Sequence, residues 1–251
     1  MRKVSFIAII LSIVVFVGGC AQTILYTNAK QINNLGIISL LGDKFEASFR
    51  DRDQNRVVTK VHDNSSWKID DFIEQHAKEV LDKYTTYNIK TIDSSQIDLP
   101  AYYQYRNDNN ISNPEVIKEI MKSNGLDHLI IIEAGDYLPD DDIDIVGVGI
   151  ERIKVDNSSR LVAVANIHMK KYGLFDDELE LLETENITIM KKLDDSFWLD
   201  TNKPIEPKNL YRLEGIIKQL LKDRVITVSL KALGFVIVSF EHSKSTSNSY
   251  E

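Results

Sequence analysis

Leu35-Gly36-Ile37-Ile38-Ser39-Leu40-Leu41 is an apolar run interrupted only by Ser39. A run that short and that continuous fits a strand buried on both faces. Gly42-Asp43 reads as a turn after it. Phe45, Ala47 and Phe49 then alternate with polar residues, as do Val57, Thr59 and Val61 beyond the polar segment Asp51 to Asn55. Both stretches are predicted strands. Leu129-Ile130-Ile131-Ile132 repeats the fully apolar pattern further along.

Helices separate these runs. Phe72, Ile73, His76, Ala77, Val80, Leu81 and Tyr84 recur at helical spacing, predicting a helix over 69–84. Asp70 and Asp71 suit its N-terminal dipole. Ile89 to Ile92 is a short strand. Asn113 caps a second helix, with Pro114 in its first turn and Gly125 at its end. Strands follow at Ile145 to Ile153, Leu161 to Met169 and Glu185 to Lys191. In the second of these, Leu161, Ala163, Ala165, Ile167 and Met169 share one face. A long helix starts after Pro207, striped by Leu210, Leu213, Ile217, Leu220 and Leu221, with Gly234 at its end or at a break before Phe235 to Phe240.

The order is β-β-β-α-β-α-β-β-β-β-α. It predicts one α/β (α+β) sandwich: a single mixed sheet with its helices packed largely on one face. A βαβ core supplies at least one parallel pair, and the later strands form an antiparallel meander. The body is expected over 35–240, with a polar, disordered tail over 241–251.

The front of the chain has a different character. Met1-Arg2-Lys3 is basic, Val4 to Val17 is apolar apart from Ser5 and Ser12, and Gly18-Gly19-Cys20 follow. This is the layout of a secretory signal over 1–19. The apolar run is too short for a spanning helix, which needs about 20 residues. Val17-Gly18-Gly19-Cys20 resembles the lipobox of bacterial lipoproteins. The resemblance implies cleavage before Cys20, a diacylglycerol on its sulfur and a new amine open to acylation. Two or more acyl chains anchor a protein stably. Cys20 is the single cysteine in 251 residues, so the body has no internal disulfide. Residues 20–34 read as a lipidated tether, reaching roughly 20 Å as a coil. By the sorting rule of the lipobox class, Ala21 implies the periplasmic face of the outer membrane where the source has two membranes.

Charge narrows the partners. There are 30 cationic and 38 acidic residues, a net charge of −8. Losing Arg2 and Lys3 with the signal leaves 28 against 38, or −10. An acidic body of this kind is a poor ligand for nucleic acid and for an anionic membrane surface.

The pieces GIISLL, the 69–84 helix, NIKTI, the Asn113 helix, LDHLIIIEAG, RLVAVANIHM and the Leu210 helix together resemble the periplasmic α/β domains of envelope lipoproteins. Such domains occur in the curli-secretion CsgG type, the LpoB-type activators of penicillin-binding proteins and the N-terminal domain of TolB. The resemblance implies a binding or assembly role and no enzymatic one.

Candidate sites are few. Tyr102, Tyr103 and Tyr105 beside Arg106 lie in a polar stretch. Tyr and Arg are enriched in binding hot spots, so this segment is the candidate partner-binding surface; rings covering a sheet edge are the other reading. Asp136, Asp140, Asp141, Asp142 and Asp144 crowd one loop, but no EF-hand spacing is present, so a solvated acidic turn is expected rather than a calcium site. His62, His76, His128, His168 and His242 show no HxxxH or HExxH spacing. Gly147-Val148-Gly149 sits in a strand with no helix after it, unlike a dinucleotide loop. No cofactor, metal ligand set or catalytic residue is nominated. The expectation is a non-enzymatic envelope lipoprotein that binds another envelope protein; the alternative is a hydrolase acting on cell wall or lipid.

Overall fold

The computed structural model describes residues 32–42, 44–54, 56–103, 113–135, 145–156, 158–197 and 207–235. All of them fall in one compact unit, Ile32–Glu251. The eight strands are β1 (Asn34–Leu40), β2 (Lys44–Asp51), β3 (Arg56–Asp63), β4 (Asn88–Thr91), β5 (His128–Ala134), β6 (Gly147–Val155), β7 (Ser158–Phe175) and β8 (Glu178–Leu193). The helices are α1 (Ile69–Tyr84), α2 (Leu99–Tyr103), α3 (Pro114–Asn124), α4 (Pro207–Leu220) and α5 (Thr227–Ala232). A π-helical stretch, Leu221–Ile226, joins α4 to α5. The expected order is present, with α2 added inside the polar stretch.

One mixed sheet holds all eight strands in the order β3-β2-β6-β7-β5-β1-β4, with β8 on the other edge of β7. β1 is parallel to both β4 and β5. β6, β7 and β8 form the antiparallel meander. β7 is the spine. Its Ser158–Asn166 half pairs with β6 and its Ile167–Gly173 half with β5. β5 and β6 therefore lie end to end along one edge of β7, running the same way.

β1 and β2 repeat that arrangement one strand further out, parallel to β5 and β6 respectively. The break at Leu41-Gly42 is thus no chain reversal, although Gly42 adopts the left-handed conformation (φ 73) typical of a turn. The expected turn is a kink in one long strand path. A true reversal sits at Asp176-Asp177, where both residues have positive φ (50 and 71). That geometry is the one a two-residue hairpin needs, and it extends β7 and β8 well beyond the spans that alternation marks out.

Two cores flank the sheet. On one face, Leu35, Ile37, Ile130, Ile132 and the β7 row Leu161, Ala163, Ala165, Ile167, Met169 pack under α1 and the α4–α5 helix. On the other, Ile38, Leu40, Leu129, Ile131 and Tyr172 pack under α3, through Ile117, Ile120 and Met121. Most of the helix does share one face, as expected, while α3 and α2 cover the opposite one.

Local signals explain the helices. The Asn113 side chain accepts from the Glu115 amide, Pro114 opens α3, and Gly125 (φ 64) closes it by donating to the Lys122 and Met121 carbonyls. In the closing helix Leu213, Ile217, Leu220, Leu221, Ile226, Leu230 and Leu233 all face the core. The step from Leu221 to Ile226 is longer than an α-helical stripe allows, and the π-helical stretch absorbs it.

Candidate functional site

Asp98 starts the local structure that places the tyrosines. Its Oδ1 accepts from the Ala101 amide at 3.1 Å, Pro100 sits in the first turn, and the five residues of α2 follow. The Tyr102 carbonyl then accepts from the Asn113 amide at 3.1 Å, tying α2 to the start of α3. Tyr102 is fully buried in the α3-side core, edge-on to Tyr103 with ring centroids 5.0 Å apart. Its hydroxyl donates to Glu133 Oε2 at 3.3 Å. The expected surface loop is therefore corrected at Tyr102: an anchoring helix turns the ring inward, because α2 and α3 leave an apolar space over β1 and β5. Tyr103 is partly buried against the same core. Tyr105, Arg106, Cys20 and the acidic loop 136–144 lie outside the described residues.

Tyr102 leads to a buried polar cluster that alternation did not reveal. On the α3 side of the sheet, Glu133 of β5 stands directly opposite His168 of β7, and Lys170 stands opposite Thr184 of β8. Glu133, His168 and Lys170 are each no more than 5% exposed. Lys170 Nζ forms an ion pair with Glu133 Oε1. His168 Nδ1 lies 3.6 Å from the same oxygen, and its Nε2 lies 2.5 Å from Thr184 Oγ1. One residue pair along, Asn166 Nδ2 donates to the Ile145 carbonyl and Thr188 Oγ1 donates to Asn166 Oδ1. The polar row Asn166, His168, Lys170 reads as a solvent face beside the apolar row on β7. All three are buried instead. Glu133, a single acid ending an apolar strand, was the one local signal.

A second buried pair lies on the same face: Arg50 Nε donates to Glu151 Oε1 at 3.0 Å, with Glu151 fully enclosed. Pairing is what makes such burial tolerable, since a lone buried charge costs several kcal/mol.

Carboxylates of α1 serve the kink between β1 and β2. β4 stops pairing at Thr91, which leaves the amides beyond Ile37 without a strand partner on that side. The Ser39 amide donates to Glu74 Oε1 at 2.8 Å, and the Leu41 and Gly42 amides donate to Asp70 at 2.9 and 3.0 Å. Burial pushes the Glu74 carboxyl up to about 7, against the lowering effect of the Ser39 amide. Near the other end of α1, a cleft of about 450 Å³ opens against the π-helical stretch, lined by His76, Glu79, Lys83, Tyr84, Lys222 and Asp223. Its side chains are of mixed charge.

Among the described residues, no group of three or more His, Cys, Asp or Glu could hold a metal ion. No helix among them is long and apolar enough to cross a membrane.

No family model matches the chain, and no curated protein matches it. Solved structures similar to it include the hypothetical protein CT253 from Chlamydia trachomatis, at 8% identity and a TM-score of 0.40, covering 81% of this chain and 98% of that one. Protein XCC0632 from Xanthomonas campestris follows at 10% identity and a TM-score of 0.37, covering 81% and 85%. Lipoprotein GNA1162 from Neisseria meningitidis is at 8% identity and a TM-score of 0.29, covering 75% and 97%.

Proposed function

We propose that this is an envelope lipoprotein, anchored through lipid on Cys20, whose α/β body binds another envelope protein. The observation that carries the reading is Val17-Gly18-Gly19-Cys20 at the end of an apolar signal segment. Ala21 supports the periplasmic face of the outer membrane in a two-membrane source. The buried Tyr102 supports a binding role for the residues after it. A tyrosine held in the core and bonded to Glu133 fixes the place of Tyr103 beside it, and pre-set contacts bind at lower entropic cost.

Two experiments test this. Cys20→Ser should leave uncleaved precursor and abolish labelling by a fatty-acid probe; normal processing of that variant would remove the anchor. Affinity capture of the detergent-solubilised chain should return one stoichiometric envelope protein, lost with Tyr105→Ala/Arg106→Ala. Capture unchanged by that variant would move the binding surface elsewhere.

One observation favours a second reading, a hydrolase acting on cell wall or lipid. Thr184 Oγ1, the His168 ring and Glu133 stand in the order hydroxyl, imidazole, carboxylate. In that order an imidazole can take the hydroxyl proton while the carboxylate steadies the imidazolium. Labelling of the wild type by a fluorophosphonate, lost in Thr184→Val, would favour the hydrolase; an unlabelled wild type would remove it.

A further inference from the structure

β8 forms a long edge of the sheet. Among the described residues only β7 pairs with it, so its outer backbone groups face away from the sheet over Glu178–Leu193. An edge of that length, roughly 50 Å, is a template for another strand. Two of the usual devices against pairing, proline and a bulge, are missing from 183–193. Residues 178–193 contain no proline. The one register shift falls at Lys171/Tyr172, opposite Leu181 to Glu183, which leaves 183–193 regular.

The charges along this edge are ordered. Glu178, Glu180, Glu183 and Glu185 occupy its first half, Asn186-Ile187-Thr188-Ile189-Met190 is uncharged, and Lys191-Lys192 close it. A parallel copy in register would set acid against acid and base against base. An antiparallel copy does the opposite. With a two-fold axis at Thr188, Glu185 of each copy faces Lys191 of the other, Ile187 faces Ile189, and Asn186 faces Met190. Each of these pairs keeps both members on one face of the sheet, because their numbers differ by an even step. The register also covers Met190, whose side chain is 46% exposed.

We propose that β8 is a homodimerisation edge, on which a second copy of this chain adds antiparallel through residues 183–193 about a two-fold axis at Thr188. The sheet then runs continuously through both copies. This does not rest on the lipid anchor or on the envelope partner. Cross-strand pairs of opposite charge and of β-branched residues are the units that stabilise such a ladder, and a self-complementary patch is what a two-fold interface requires.

The test uses the full-length chain in mild detergent, with protein mass read by light scattering. The wild type should be a dimer. Glu185→Lys and Lys191→Glu should each weaken dimerisation by roughly tenfold or more, because each sets two like charges against each other. The double swap Glu185→Lys/Lys191→Glu should restore the dimer, which separates pairing from any loss of folding.

Register is read independently by Thr188→Cys. Residues facing each other across an antiparallel ladder have Cα atoms about 4.5–5.5 Å apart, within disulfide range. Mild oxidation should link the two copies of this variant through the introduced thiols, while Met190→Cys, offset along the strands by roughly 13 Å from its own counterpart, should not link. Wild type oxidised alongside sets the background from Cys20. A monomer at every concentration, a dimer that Thr188→Cys leaves unlinked, or single reversals that the double swap does not rescue would each overturn the proposal.

Discussion

The Ser39 amide donates to Glu74 Oε1 at 2.8 Å, so a helix carboxylate stands where the next strand of the sheet is missing. That carboxyl is buried, and its proton is held up to about pH 7. A carboxyl with a raised folded-state value binds its proton more tightly folded than unfolded. Its contribution to stability is therefore complete below the unfolded value near 4.5 and is lost as pH rises through about 7. Glu74→Gln keeps an acceptor for the Ser39 amide and cannot ionise. Its melting temperature should match the wild type near pH 4.5 and exceed it at pH 8. Parallel melting curves for the two proteins across that window would refute the assignment.

The Lys170–Glu133 pair is almost fully enclosed, so removing one partner strands the other. Lys170→Met and Glu133→Gln should each destabilise by about 3–5 kcal/mol in urea unfolding. Lys170→Met/Glu133→Gln, with neither charge left, should lose less than the two single changes summed. Strict additivity would mean that the charges do not act on each other.

Tyr102 separates packing from hydrogen bonding. Tyr102→Phe removes the hydroxyl that donates to Glu133 and should cost about 1 kcal/mol. Tyr102→Ala also empties the core beneath α2 and should cost about 3–5 kcal/mol. Tyr105→Ala should leave the melting temperature unchanged if its role is to meet a partner. A Tyr102→Ala protein as stable as wild type would place that ring outside the core.

Gly149 explains the GxG of β6 without any ligand. A Cβ at Gly149 would press on the Glu46 carbonyl of the paired strand β2, which is backbone and cannot rotate away. Gly149→Ala should destabilise by about 1–3 kcal/mol through that overlap. Gly215→Ala meets nothing within 4 Å and should be neutral or slightly stabilising in its helix. Equal unfolding midpoints for both variants would show that β2 and β6 can spread apart.

Several features were legible from local patterning. The strands Leu35–Leu41 and Leu129–Ile132 carry apolar side chains on both faces, which only a doubly covered strand tolerates. The Asn113, Pro114 and Gly125 signals bound α3 because caps act through neighbouring atoms. The buried cluster was not legible in the same way. His168 and Lys170 alternate with an apolar row, and alternation alone assigns them to water. Their burial goes with partners from other parts of the chain: Glu133 of β5 pairs with both, and Tyr102 of α2 bonds to Glu133. Tyr102 was singled out as a binding residue for its type, and its inward direction follows from the apolar core formed with β1, β5 and α3, where its hydroxyl meets Glu133, thirty-one positions away.

By itself, the sequence determined the order of strands and helices, the caps of α3, the apolar faces of β1, β5 and β7, and the mixed α/β class. Those follow from periodicity and from contacts within a few residues. Only the tertiary structure decided that β1 with β2, and β5 with β6, run end to end, that Gly42 marks a kink, and that β8 stands at an edge. Backbone hydrogen bonds between strands carry no side-chain signature, so their partners emerge only when the whole chain has closed on its two cores.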